Sequence, residues 1–219
     1  MANKTDTILF DLDGTLTDPK EGIINSILYA LDKLGIRENS VHELDSFIGP
    51  PLRESFSARY NLSTELSDKA VNIYREYFST KGLFENKPYP GVDNLLKTLF
   101  SQHHKLFVAT SKPTLFAIQI LQHFNLDKYF VDIIGSNLDN SRTDKTEIIS
   151  HVISLHGLNT NQCIMVGDRK HDLTGAKSNS IKTIGVTYGY GSLQELLDCQ
   201  PDFIVNDFAE LKSIISNLS

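Results

Sequence analysis

Ile8-Leu9-Phe10-Asp11-Leu12-Asp13-Gly14-Thr15 sets three apolar residues directly against two aspartates and a glycine. An unbroken apolar run of this kind suits a strand buried on both faces, as in a parallel sheet covered by helices. Ligands of open α/β sheets bind beyond the carboxyl ends of the strands. Asp11 and Asp13 would stand at such an end, with Gly14 permitting a tight turn. The pair alone also suits a plain solvated turn, where Asp and Gly are common. The rest of the chain has to decide between the two.

Further short apolar runs occur at 106–109, 133–134, 163–166, 183–186 and 203–205. Helical spacing lies between them. Val92, Leu95, Leu96 and Leu99 share a face, as do Ile148, Ile149, Val152 and Ile153. Pro113 stands where a first helical turn tolerates proline, and Phe116, Ile120, Leu121 and Phe124 follow it on one face. Ser192 with Glu195, and Asp207 with Glu210, have the spacing of capping boxes. Strand alternating with helix predicts a doubly wound, mostly parallel α/β sheet.

One connection is too long for that pattern. A βαβ crossover needs a dozen or so residues, yet residues 11–105 separate the first two apolar runs. The excess reads as helical. Ile23, Ile24, Ile27, Leu28, Leu31 and Leu34 line one face after Asp18-Pro19, and Gly35 ends that helix. A second helix runs from Thr64 to about Thr80. The turn-rich Phe47-Ile48-Gly49-Pro50-Pro51-Leu52-Arg53 lies between them, and Lys87-Pro88-Tyr89-Pro90-Gly91 reads as the return linker. The expected organisation is an α/β core of residues 1–16 and 86–219 and an inserted all-helical cap domain of residues 17–85.

A second acidic motif, Gly167-Asp168-Arg169-Lys170-His171-Asp172, follows the run 163–166. It places Asp168 at a strand end and Asp172 one helical turn on. Taken alone it suits a capped helix start. Carboxylates gathered in one cleft repel one another unless a cation is shared, and an all-oxygen set favours a hard ion, Mg²⁺ above all. Thr110-Ser111, ending another strand, can hold phosphate oxygens through a hydroxyl and backbone N–H groups, although a helix cap uses the same residues. Lys145 opens a helix and on its own reads as a surface charge.

In this order the four pieces resemble the haloacid dehalogenase-like hydrolase superfamily, in its helical-cap subgroup. Its pattern is a DxDGT strand end, a Ser/Thr strand end, a lysine and a GDxxxD turn. The runs around Ile48-Gly49-Pro50-Pro51-Leu52 and Val166 to Asp172 look similar to members named phosphoglycolate phosphatase or 5′-nucleotidase. The resemblance covers nearly the whole chain. It implies a Mg²⁺-dependent phosphatase with Asp11 as nucleophile and Asp13 as general acid and base. The ion would be held by the Asp11 side chain, the Asp13 carbonyl and Asp168. Asp172 would support the site, and Thr110, Ser111 and Lys145 would bind the phosphoryl group. Arg53 and Lys20 are the candidate substrate contacts from the inserted segment. A dehalogenase lacks the second motif aspartate, which is present here as Asp13. A sugar phosphomutase and a non-catalytic binding module remain as alternatives.

Bulk composition is that of an ordinary globular protein. Of 219 residues 40% are hydrophobic and 22% charged, and the formal net charge is −6. That balance disfavours a nucleic-acid polymer as partner and leaves an anionic substrate, such as the small phosphate ester that the resemblance implies, in need of local positive groups or a metal ion. No apolar run spans a bilayer, and the first residues lack the charged and apolar regions of a signal peptide. A cytoplasmic monomer or homodimer is expected, with Cys163 and Cys199 as free thiols. His103, His104 and His171 are not assigned chemistry.

Overall fold

A computed structural model describes residues 5–139 and 141–218. The outermost residues of the expected core segments, 1–4 and 219, lie outside the described residues. The chain divides into two compact units. One is Pro19–Lys87, and the other contains residues up to Asp18 and from Pro88 onward. The chain leaves and re-enters the second of these through β2 (Thr17–Asp18) and β3 (Lys87–Pro88), which pair as a short ribbon.

The larger unit is the α/β fold that the alternating pattern predicts. Its strands are β1 (Thr7–Phe10), β4 (Lys105–Pro113), β5 (Asp132–Ser136), β6 (Cys163–Gly167), β7 (Lys182–Val186) and β8 (Phe203–Val205). They form one sheet in the order β5-β4-β1-β6-β7-β8, with every pairing parallel. The helices are α4 (Val92–Ser101), α5 (Thr114–His123), α6 (Lys145–His156), α7 (Lys170–Ser178), α8 (Leu193–Asp198) and α9 (Phe208–Leu218). Leu9, Phe107, Ala109, Cys163 and Met165 from the three central strands pack with Ile148, Ile149 and Val152 of α6 and Ala176 of α7 in a core closed to solvent. The chain builds the sheet outward on one side of β1 and then crosses to the other. The strand order therefore reverses at β1, the place where such sheets open a crevice for ligands.

Register fixes what stands at that crevice. Phe10 lies level with Val108 on one side and Val166 on the other. The residues that follow, Asp11, Ala109 and Gly167, therefore emerge together, and the Asp11 N–H donates to the Val166 carbonyl (2.9 Å).

Two local readings need correction. β4 runs on to Pro113 with a register irregularity between Thr110 and Pro113. Pro113 thus ends a strand instead of opening a helix, and its ψ of 133° is extended. Ser192 does cap α8, accepting from the Glu195 N–H (3.0 Å). Glu195, however, accepts from Arg169 Nε and the Lys170 N–H (2.9 Å each), drawn there by the guanidinium charge.

The smaller unit is helical. It holds α1 (Lys20–Leu34), α2 (Leu52–Tyr60) and α3 (Thr64–Tyr77), with 3₁₀ turns at Val41–Phe47 and a wide π turn at Phe78–Gly82. Gly35 ends α1 in the left-handed region, at φ 68°. α1 packs on α3, and α2 on both α3 and the 3₁₀ segment. Gly22 of α1 meets the Gly82 carbonyl so closely that a Cβ would lie 1.9 Å from its oxygen. Among the described residues no helix is long and apolar enough to cross a membrane.

Candidate active site

Asp11 and Asp13 follow β1, Thr110 and Ser111 lie on β4, and Asp168 follows β6. Parallel pairing carries them all to one edge. Lys145 is the first residue of α6, held there by Asp144, whose carboxylate accepts from the Thr146 and Glu147 N–H groups (2.8 and 3.3 Å). Asp172 lies in the first turn of α7, where Oδ2 accepts from the Arg169 N–H (3.1 Å). Asp11, Asp13, Asp168 and Asp172 are buried, and Lys145 is 4% exposed.

The carboxylates of Asp11, Asp168 and Asp172 converge, one oxygen of each lying within 4.8 Å of the others. Lys145 Nζ sits 2.8 Å from Asp11 Oδ1, 2.8 Å from Asp172 Oδ1 and 2.9 Å from the Ala109 carbonyl. Both Asp172 oxygens are therefore engaged within the protein. Asp168 accepts from Thr15 Oγ1 (3.2 Å) and from the Tyr190 N–H (2.8 Å). The Asp13 carboxylate turns elsewhere, with Oδ2 2.8 Å from Lys112 Nζ, while among the described residues its Oδ1 has no hydrogen-bond partner.

The site leaves no room for larger residues at three glycines. A Cβ on Gly14, which holds φ at +87°, would lie 2.2 Å from Asp168 Oδ2. One on Gly167 would lie 2.3 Å from the Asp172 Cβ, and one on Gly189 2.4 Å from the Asp168 Cβ. The motif glycines are there so that backbone can close onto carboxylates.

Electrostatics follow from burial. Desolvation raises the Asp13 carboxyl above the usual range, although Lys112 opposes it. Burial raises Asp168 well above that range, helped by the charges of Asp172 and Asp11. Burial also pushes Asp172 up to about 6 against the pull of Lys145. Burial disfavours the Lys145 ammonium too, but Asp11 and Asp172 outweigh it and hold the lysine above its ordinary value.

Four carboxylates face two ammonium groups, Lys112 and Lys145, leaving a formal excess of two negative charges. Arg169 nearby is paired with Glu195 (2.9 Å). A divalent cation would neutralise that excess, and an all-oxygen donor set suits a hard one. The residues present fit such an ion: of the three converging carboxylates, Asp172 has both oxygens engaged, Asp11 meets Lys145 through Oδ1 alone, and Asp168 makes no ion pair among the described residues, which leaves Asp11 and Asp168 as the ones to hold it.

Thr110 is buried, and its hydroxyl accepts from the Lys112 N–H (3.3 Å). The Ser111 carbonyl accepts from Ser136 Oγ (2.9 Å). The other two expected residues lie in the helical unit. Lys20 pairs with Asp45 (2.6 Å), and Arg53 pairs with Asp68, accepted at Oδ1 from Nε (2.5 Å). Sequence reasoning missed Lys112, Tyr190 and Gly189. Lys112 had one usable signal, its place directly after Thr110-Ser111. The other two lie in the loop after β7, which carries no recognisable spacing.

Residues 8–186 match the profile of the haloacid dehalogenase-like hydrolases. A 5′-nucleotidase from Pseudomonas aeruginosa is 47% identical over 210 residues, covering 96% of this chain and 95% of that protein. The tyrosine-protein kinase PtkA of Mycobacterium bovis is 36% identical over 84% of this chain and 62% of its own length. The crystal structure of a predicted phosphatase from Clostridium acetobutylicum superposes with a TM-score of 0.95 at 44% identity, covering 98% of this chain and 99% of that one. The chain belongs to the haloacid dehalogenase-like hydrolase family, and it is an enzyme.

Proposed function

We propose that the chain is a Mg²⁺-dependent phosphatase of small phosphomonoesters, working through a phosphoaspartate on Asp11. The observation that carries this reading is the convergence of the Asp11, Asp168 and Asp172 carboxylates beside Lys145. Asp11 Oδ attacks phosphorus as the P–O bond to the alcohol breaks, and Asp13 gives the leaving oxygen its proton. In the second step Asp13 takes a proton from water, whose oxygen bonds to phosphorus as the Asp11–phosphorus bond breaks, releasing phosphate and restoring Asp11. The Asp11 carboxylate, the Asp13 carbonyl and Asp168 would hold Mg²⁺, which would supply charge neutralisation for the transferring group. Thr110, the Ser111 N–H and Lys145 orient the phosphoryl oxygens, and Asp172 holds Lys145 in place.

A nucleoside 5′-monophosphate is the favoured substrate, on the strength of the 47% identical 5′-nucleotidase. Phosphoglycolate-type esters are the second candidate. The helical unit, as a cap domain, is assigned leaving-group selection, with Lys20 and Arg53 as its contacts, because it is inserted directly after the Asp11–Asp13 motif. The protein is assigned to the cytoplasm, as a monomer or homodimer.

The test is phosphate release over a panel of metabolite esters, with and without Mg²⁺. Turnover should require the ion, and Asp11→Asn should lower it by at least about 10³-fold while leaving the protein folded. Full turnover by that variant excludes Asp11 as nucleophile. Turnover that starts only on addition of a sugar bisphosphate favours a mutase. Incorporation of ¹⁸O from labelled water into the released phosphate separates hydrolysis from transfer to another acceptor. Inertness of the pure protein toward every ester returns the reading to a binding module.

A further inference from the structure

The ion pair between Lys112 and Asp13 is set deep in the site and is built by the fold on both sides. The Lys112 side chain is 5% exposed, that of Asp13 10%, and their charged atoms are 2.8 Å apart. The backbone there departs from regular pairing. The β4–β5 register breaks between Thr110 and Pro113, and the Lys112 N–H turns to Thr110 Oγ1 (3.3 Å). Gly135 of β5 closes on the same point, since a Cβ there would lie 2.0 Å from the Lys112 carbonyl. A strand irregularity of this type re-aims a side chain beside a functional site. Here it aims Lys112 at one oxygen of Asp13, Oδ2. The other oxygen, Oδ1, is buried and has no hydrogen-bond partner among the described residues.

We propose that Lys112 is a positioning residue that pins Asp13 by Oδ2 so that Oδ1 faces the leaving oxygen and then the attacking water. The inference rests on the phosphatase reading above, and it assigns Lys112 a role distinct from holding phosphate. A carboxylate on a freely turning side chain would share its proton-transfer geometry among rotamers, and loss of orientation at a reacting centre is costly. The pair fixes one rotamer through a charged hydrogen bond.

The leaving group provides the readout. Proton donation matters for an alkyl leaving oxygen, as in adenosine 5′-monophosphate, and little for p-nitrophenolate, which departs unprotonated. In Lys112→Gln, kcat/KM should fall at least about tenfold further for the alkyl ester than for p-nitrophenyl phosphate, with KM for either changed less than about threefold. Lys112→Arg, which keeps the charge, should restore most of the ratio between the two esters. Equal loss for both esters, or a rise in KM alone, overturns the proposal in favour of phosphate binding or a purely structural role. Because Lys112→Gln leaves a buried carboxylate unpaired, the same change is also made on Asp13→Asn, which removes both charges together. In that background Lys112→Gln should alter the ester ratio by less than about twofold, and a further tenfold shift would overturn the proposal. Absence of turnover by the native enzyme would instead sink the phosphatase reading. In that event the crystal structure of Lys112→Gln still decides the positioning claim, which fails if Asp13 keeps its native rotamer.

Discussion

At the scale of single residues, the site depends as much on what is missing as on what is present. Gly14 combines a left-handed backbone with the Asp168 carboxylate where its Cβ would be. Gly14→Ala should therefore destabilise the protein by about 1–3 kcal/mol through overpacking. Displacement of Asp168 should also weaken Mg²⁺ affinity by about tenfold or more. Thermal melts and titration calorimetry read the two effects separately, and unchanged affinity would mean that Asp168 keeps its place despite the clash. Asp11, Asp13 and Asp168 were legible in the sequence because each follows an apolar run, and Asp172 because it lies one helical turn beyond Asp168; both are local properties. Lys112 was not legible as a partner of Asp13. Their contact depends on the pairing of β1 with β4 and on an irregularity in β4, and neither leaves a local trace. Nor was it evident that the carboxylates converging with Asp11 are Asp168 and Asp172, with Asp13 turned aside to Lys112. That follows from where each charge finds its partner.

At the scale of elements, parallel pairing converts sequence order into a common edge. The alternation of apolar runs and helical faces was enough to predict the sheet, because strands buried on both faces read as continuous runs. Strand ends were less legible, as the extension of β4 through Pro113 shows, since extended backbone before a helix carries no periodicity of its own. Helix starts matter most for the chemistry, and α6 is the clearest case. Its N-cap, Asp144, satisfies two backbone donors directly beside Lys145. Asp144→Ala should cost about 0.5–2 kcal/mol in denaturant unfolding, and Asp144→Asn far less, because asparagine also caps well. If the cap also holds Lys145 in register, Asp144→Ala will lower turnover at saturating substrate, and Asp144→Asn will restore it. Stability loss with native turnover would confine Asp144 to capping.

At the scale of the whole molecule, the two units are held by different physics. The α/β unit closes over carboxylates whose proton affinity burial has raised. The helical unit instead contains a carboxylate that its partners hold in the charged form. Glu38 accepts from Arg59 Nε and Nη2 (2.8 and 2.9 Å), from the Ser40 N–H (2.7 Å) and from the Tyr60 hydroxyl, and Arg59 also donates to Glu43 (2.8 Å). The hydrogen bonds from Arg59 outweigh burial and bring the Glu38 carboxyl down to about 2 from an ordinary 4.5. A depressed carboxyl stabilises the folded form at every pH above its unfolded value. That contribution is lost as pH falls from about 4.5 towards 2, where the folded group protonates too. The helical unit should therefore lose protection in acid before other causes are considered. Hydrogen exchange of peptides covering residues 38–60 should rise, relative to the same peptides at pH 6 after correction for intrinsic rate. Glu38→Gln cannot titrate, so its peptides should start less protected at pH 6 and show a flatter change between pH 4.5 and 2. Peptides from α6 should respond alike in both proteins. Parallel pH profiles for native protein and Glu38→Gln would show that Glu38 does not set the acid limit of this unit.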